Sequence, residues 1–203
     1  MSEIAKRIDE VVSASLAPAL KQAGYRKTGR TFRRSQSRCV LVINVQASWT
    51  NVGSVGQFTI NLGVYYPDAA RLHGGFRVTD KPIESDCIVS ERIGKLMPAR
   101  LDHWWKVTEA TNVRSLGDDL VTAWSQFGEP WLVAHTDPAR ARTFMLELRS
   151  PFWGAIFSVL LEERAEAVRF LQEALNDVRD RPDLLANLRK WGIDHGLLPE
   201  AAV

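Results

Sequence analysis

The chain has 203 residues, 45% of them hydrophobic and 25% charged, with a formal net charge of +2. That is apolar enough to bury a real core in one domain over 1–203, and too evenly mixed for a disordered, fibrous or membrane-spanning class. The longest apolar run, 152–161, is about half a membrane span and is interrupted by Gly154 and Ser158; the charged start is no secretory leader, so a soluble cytoplasmic protein without membrane contact is expected.

The first element is an amphipathic helix. Ile4, Ile8, Val11, Val12, Leu16 and Leu20 recur at three- and four-residue steps, with Ser2 as N-cap and Gly24 as the stop. Pro18 inside that pattern predicts a kink or the start of a second short helix. The period then changes to two. Residues 31–35, 40–46 and 58–66 read as strands, joined by a polar turn at 35–38 and a longer loop at 49–56 that contains Asn51, Gly53 and Gly56. In the third strand Phe58, Ile60, Leu62 and Val64 alternate with Thr59, Asn61, Gly63 and Tyr65, which predicts one core face and one polar face. An irregular excursion follows at 67–82, then strands at 87–93 and 103–107.

From residue 112 onward the signal is helical. Asp137-Pro138 and Ser150-Pro151 read as cap-plus-first-turn pairs, and apolar stripes recur at Leu116, Leu120, Val121 and Trp124, at Ala167 to Val178, and at Leu184 to Trp191. Strands first and helices later predict an α+β fold: an N-terminal helix, an antiparallel sheet of about four or five strands, and a helical C-terminal third. The helix-plus-sheet part is expected over 1–110 and the helical part over 111–203.

Residues 11–67 contain no Asp or Glu but carry Lys21, Arg26, Lys27, Arg30, Arg33, Arg34 and Arg38, which leaves the other 146 residues at −5. Two readings are open. Strands are poor in carboxylates in any case; alternatively, this stretch builds a face that attracts anions. A meander would place Asn44, Gln46 and Asn61 on one face, with Arg33 beside them, and amides with a guanidinium recognise phosphate, carboxylate or peptide backbone without acid–base chemistry. Trp49, in a Gly-rich loop, is either packed or an exposed anchor.

The run Leu20-Lys-Gln-Ala-Gly-Tyr-Arg-Lys-Thr-Gly-Arg-Thr-Phe-Arg-Arg34, then Val42-Ile-Asn-Val-Gln46 and Phe58-Thr-Ile-Asn-Leu-Gly-Val64, resembles a bacterial family catalogued as domain of unknown function 4304. Arg92-Ile-Gly-Lys-Leu96 and Asp102-His-Trp-Trp105 are similar to its later segments, and the resemblance covers roughly residues 5–135. It implies an α+β fold and brings no activity, cofactor or catalytic residue.

Catalytic motifs are lacking. Gly53-Ser-Val-Gly56 fits neither a phosphate loop nor a nucleophile elbow. His73, His103, His135 and His195 form no His-X-X-X-His pair, and Cys39 and Cys87 have no CxxC spacing, so no metal or cofactor is expected. Cys39 is either a small buried hydrophobe or a thiol activated by Arg38. The expected function is that of a non-enzymatic interaction protein that holds an acidic partner on the basic hairpin, an immunity-type inhibitor of a toxin being one concrete form. Nucleic-acid or nucleotide binding by the same surface is the alternative, and a hydrolase or transferase with a composite site that adds a carboxylate such as Asp86 is a third. If the basic residues form a free patch, changing Arg30, Arg33 and Arg34 together to Gln removes binding and leaves the melting temperature nearly unchanged; if they form a clamp, they pair with later acids such as Asp118, Asp119, Glu162 or Glu163.

Overall fold

The computed structural model describes residues 2–200. By contact density they divide into two compact units, one running to Pro67 and again over Arg77–Thr136, the other holding Asp68–Phe76 and everything from Asp137.

In the first unit, helix α1 (Glu3–Val11) starts where the Ser2 hydroxyl accepts from the Ala5 amide at 3.2 Å, and it buries Ile4, Ile8 and Val11. Of the two outcomes expected at Pro18, the start of a second short helix is the one observed. A π turn over Val12–Leu16 leads without a break into α2 (Ala17–Gln22), with the Ala17 amide bonding the Val12 carbonyl five residues back. Proline lacks an N–H and crowds the carbonyl four residues before it, and the wider π turn removes that conflict without ending the helix. Gly24, at φ 87°, closes α2: the Tyr25 amide bonds the Leu20 carbonyl and the Gly24 amide that of Lys21.

The sheet has six antiparallel strands: β1 (Arg26–Thr28), β2 (Thr31–Ser35), β3 (Val40–Ala47), β4 (Val55–Tyr65), β5 (Val89–Arg92) and β6 (Trp105–Thr108). The first five lie in chain order; β6 pairs the opening half of β4 and β5 its closing half. All five strands expected from the sequence are present, and β1 is added as an edge, joined to β2 by a two-residue turn in which Gly29 takes φ 58°. Phe32, Ile43, Leu62 and their neighbours on that face form the core with α1. The opposite face of β4 is polar as expected but is not left to solvent, since Thr59, Asn61 and Tyr65 are buried too. Gly63 explains part of this cover: a Cβ there would lie 2.7 Å from the Cys87 Cβ and Sγ, so the segment before β5 rests directly on the strand.

The same unit closes with α4 (Ile93–Leu96), which follows β5, and with α5 (Val113–Ala123), which packs on α1 and its π turn, where Gly117 admits Ser15. A second π turn at Trp124–Gly128 leads into α6 (Glu129–Ala134), again just ahead of a proline, Pro130. The second unit contains α3 (Pro67–His73), α7 (Pro138–Glu147), α8 (Pro151–Leu160), α9 (Arg164–Asp177) and α10 (Pro182–Asp194). Its centre is α8, where a Cβ on Gly154 would meet Leu146 at 2.7 Å and Phe170 at 3.1 Å. The fold is α+β, and none of its described helices is long and apolar enough to cross a membrane.

Candidate functional site

The seven cations of the acid-free stretch separate into two groups. Arg30 and Arg34 are internal ties. Arg30 donates through Nε to Asp9 Oδ1 at 2.7 Å and through Nη2 to the Ala5 carbonyl at 2.8 Å, fastening the hairpin turn to α1. Arg34 reaches Glu129 Oε1 at 2.6 Å and the Ala23 carbonyl at 3.0 Å, with its guanidinium 4.6 Å over the Tyr25 ring. The Tyr25 hydroxyl donates to the other Glu129 oxygen at 2.8 Å. The acids in this clamp are Asp9 and Glu129; Asp118 and Asp119 enter no ion pair among the described residues, and Glu163 pairs with Arg142. The Arg30/Arg33/Arg34 triple change is therefore expected to lower the melting temperature, since Arg30 and Arg34 tie the hairpin to α1 and to Glu129.

The other group faces outward. Arg26 and Arg33 sit directly opposite each other on β1 and β2. Arg33 donates through Nε to the Pro82 carbonyl at 2.5 Å, which fixes its guanidinium. Both line a cleft of about 440 Å³ with Thr28, Ser35, Asp80 and Lys81. On the other side of the hairpin, Lys27 lies 5.8 Å from the Phe32 ring centre and reaches Ser13 at 3.5 Å, and Lys21 is exposed at the end of α2. Lys21, Arg26, Lys27, Arg33 and Lys81 form no ion pair among the described residues. Arg38 is exposed on the β2–β3 loop but does have a partner. Like charges directly opposite on neighbouring strands repel, and the one carboxylate that lines this cleft is Asp80, which forms no ion pair with them.

Asn44, Gln46 and Asn61 do share one sheet face. Thr31, Asn44, Asn61 and Arg92 form a straight row across β2, β3, β4 and β5. Asn61 donates to Gln46 Oε1 at 2.8 Å and Asn44 to Thr31 Oγ1 at 3.1 Å, so much of their capacity is met within the row. The register carries Arg33 two pairs further along β2, opposite Val42, and Asp86 turns to the Ile83 amide at 2.8 Å. The carboxylate beside the row is Asp102, held by Arg92 at 2.5 Å with Trp104 bonded to the same oxygen at 3.0 Å. No acid–base pair is assembled there. Trp49 lies apart from the cations, 93% exposed at the tip of the β3–β4 loop, which is held by the Asn51 side chain bonding both main-chain groups of Gln57.

Each histidine packs on a tryptophan: His73 on Trp153 at 4.7 Å, His103 on Trp105 at 4.6 Å, His135 on Trp131 at 4.3 Å and His195 on Trp191 at 4.4 Å. In the last two pairs Nδ1 also lies 2.8 Å from the tryptophan carbonyl one turn earlier. The signal for these two was in the sequence as Trp-X-X-X-His, which brings the rings together on one helix side. Among the described residues no group of three or more His, Cys, Asp and Glu is placed to hold a metal ion.

Both thiols are buried. Burial pushes Cys39 up to about 11, and burial, with Glu84 and Asp86 adding to it, pushes Cys87 up as well. An activated Cys39 thiolate is thereby set aside. The unfolded thiol ionises first, so the contribution of Cys39 to stability is intact below its ordinary value of 9.0 and declines as the pH rises toward about 11. A disulfide dye at pH 8 is expected to leave both thiols unmodified in the folded protein and to titrate both once denaturant is added; fast native labelling of Cys39 would contradict this.

The family model described as a domain of unknown function (DUF4304) matches residues 16–134, more than half of the chain. The chain belongs to the DUF4304 family. No curated protein and no solved structure matches it. The DUF4304 match begins at the last residue of the first π turn, takes in the second π turn, all six strands and the cations without an ion pair named above, and ends close to the boundary at which the second helical unit begins.

Proposed function

We propose that this protein is a non-enzymatic cytoplasmic interaction module that holds an acidic partner protein on the outer surface of the β1–β2 hairpin. The observation that carries this reading is the Arg26–Arg33 pair, two cations in direct cross-strand register that share a cleft with Lys81 and form no ion pair among the described residues, Asp80 being the one carboxylate that lines the cleft. An arrangement that repels itself in the free protein is relieved when an anion arrives, so part of the binding energy is held in reserve on the hairpin. An immunity-type inhibitor is one concrete form of such a module. Nucleic acid fits less well, because the exposed Trp49 that would stack on a base is at the far end of β3 rather than beside the cations.

Changing Arg26, Arg33 and Lys81 together to Gln is expected to weaken binding of a labelled poly-glutamate peptide at least about tenfold at low salt. The melting temperature should change little, because the repulsion removed and the Arg33–Pro82 hydrogen bond lost are each worth about 1 kcal/mol. Unchanged peptide binding by the triple variant overturns the reading. So does tighter binding of an oligonucleotide whose affinity falls steeply with salt.

A further inference from the structure

An open groove of about 600 Å³ runs between α2 and the inner side of the hairpin. Its lining is mostly apolar, with Ala17 and Pro18 as wall and the buried Tyr25 and Phe32 as floor; Ser13 lies beside them, and Lys21, Arg26 and Lys27 stand around it. No acidic residue lines it. Two features set it apart from an ordinary surface furrow. The Tyr25 hydroxyl is already taken by Glu129, so the tyrosine offers the groove no donor that would call for a polar occupant. The groove also opens onto β1, the edge of the sheet, whose outward main-chain groups have no strand beside them.

We infer that this groove is the anchoring subsite for the acidic partner: it takes an apolar side chain from an extended segment whose neighbouring residues are Asp or Glu. This rests on the reading of the hairpin as the partner's docking surface and names what that partner presents. Charge complementarity selects the occupant. An apolar side chain rests against Ala17 and Pro18 above the Tyr25–Phe32 floor, and carboxylates on either side of it meet Lys21 and Lys27. Arg26 lines both this groove and the outer cleft, so a single segment passing over β1 can satisfy both. A purely apolar segment would leave the rim ammonium groups facing carbon, and a purely acidic one would leave the walls wet.

The test compares two short labelled peptides of equal charge by fluorescence anisotropy, one alternating Glu with Leu and the other Glu with Ser. The Glu–Leu peptide is expected to bind at least about tenfold tighter, as burial of a leucine side chain predicts. Ala17→Trp, which fills the groove, should remove that advantage and leave the Glu–Ser affinity as it was. The exposed pair Lys21→Glu with Lys27→Glu should abolish binding of both peptides. Circular dichroism checks that each variant is folded; should Ala17→Trp unfold, the two-peptide comparison and the lysine pair decide alone. Equal affinities of the two peptides for the native protein, or full binding by the lysine pair, overturn the groove as anchor while leaving the outer basic surface standing. Failure of both peptides to bind removes the underlying reading as well.

Discussion

Gly94→Ala is expected to destabilise the first unit by about 3 kcal/mol, lowering its melting temperature by roughly 6–12 °C. Gly94 lies in the single turn of α4, and the chain after it folds back so closely that a Cβ would stand 2.5 Å from the Leu101 carbonyl oxygen and overlap the His103 amide nitrogen. Both obstacles are main chain, which cannot swing away as a side-chain tip can. Relief would have to move residues 101–103, and with them the His103 carbonyl that accepts from Thr59, a fully buried hydroxyl 2.9 Å away. It would also disturb the entry into β6, where Trp105 stacks on Phe58 at 5.9 Å. Gly74→Ala is the control. Gly74, unlike Gly94, has a positive φ, 74°, but nothing lies within 4 Å of its added Cβ, so the alanine should cost only about 1 kcal/mol of backbone strain. Urea unfolding of both variants checks this; equal losses would mean that the close approach at Gly94 is not what matters.

Glu129→Ala should cost about 2 kcal/mol, because it leaves the mostly buried Arg34 guanidinium without its anion and the buried Tyr25 hydroxyl without its acceptor. The figure is below that for a fully enclosed pair because both partners keep about a fifth of their side-chain surface in water, 18% for Arg34 and 23% for Glu129. Glu129→Gln retains an acceptor for the phenol and should lose about half as much. Arg34→Met combined with Glu129→Ala should be clearly less damaging than the two single losses added together, since the second change removes the charge that the first left stranded. Additive losses would show that the three side chains do not act as a unit. The alkaline limb carries the same information. Burial, and next the Glu129 carboxylate, raise Tyr25 well above its ordinary value of 10.0. The unfolded phenol therefore ionises first, and stability should fall as the pH passes about 10. In Glu129→Ala that fall should be shallower, because the like charge is gone.

The parts of the fold that were legible share a local cause. Phe58 to Val64 alternate because one face of β4 packs against the core, and the alternation is visible without knowing the neighbour strand. β1 was not legible: Arg26, Lys27 and Thr28 have no apolar alternation, and they are a strand only because β2 lies beside them. The positive charge of the hairpin could be read from composition, but its division into ties and free cations could not. Arg30 and Arg34 are distinguished from Arg26 and Arg33 by Asp9 and Glu129, and Glu129 lies almost a hundred residues further along the chain. The histidine–tryptophan pairs follow the same rule. Trp131 with His135 and Trp191 with His195 are one helical turn apart, whereas His73 meets Trp153 only through the fold.

The π turn ahead of Pro18 has a consequence for how relatives of this chain should be aligned. A π turn holds one residue more than the α turn it replaces, so it sets back the phase of everything after it by about a quarter of a revolution. Without that setback Leu16 and Leu20 would drift away from the side occupied by Ile4, Ile8 and Val11, and the buried stripe would spread over half the helix. The extra residue and the proline therefore form one unit of inheritance: a family member with a one-residue gap across positions 12–16 should also lack the proline at position 18. The same linkage should hold between positions 124–128 and Pro130.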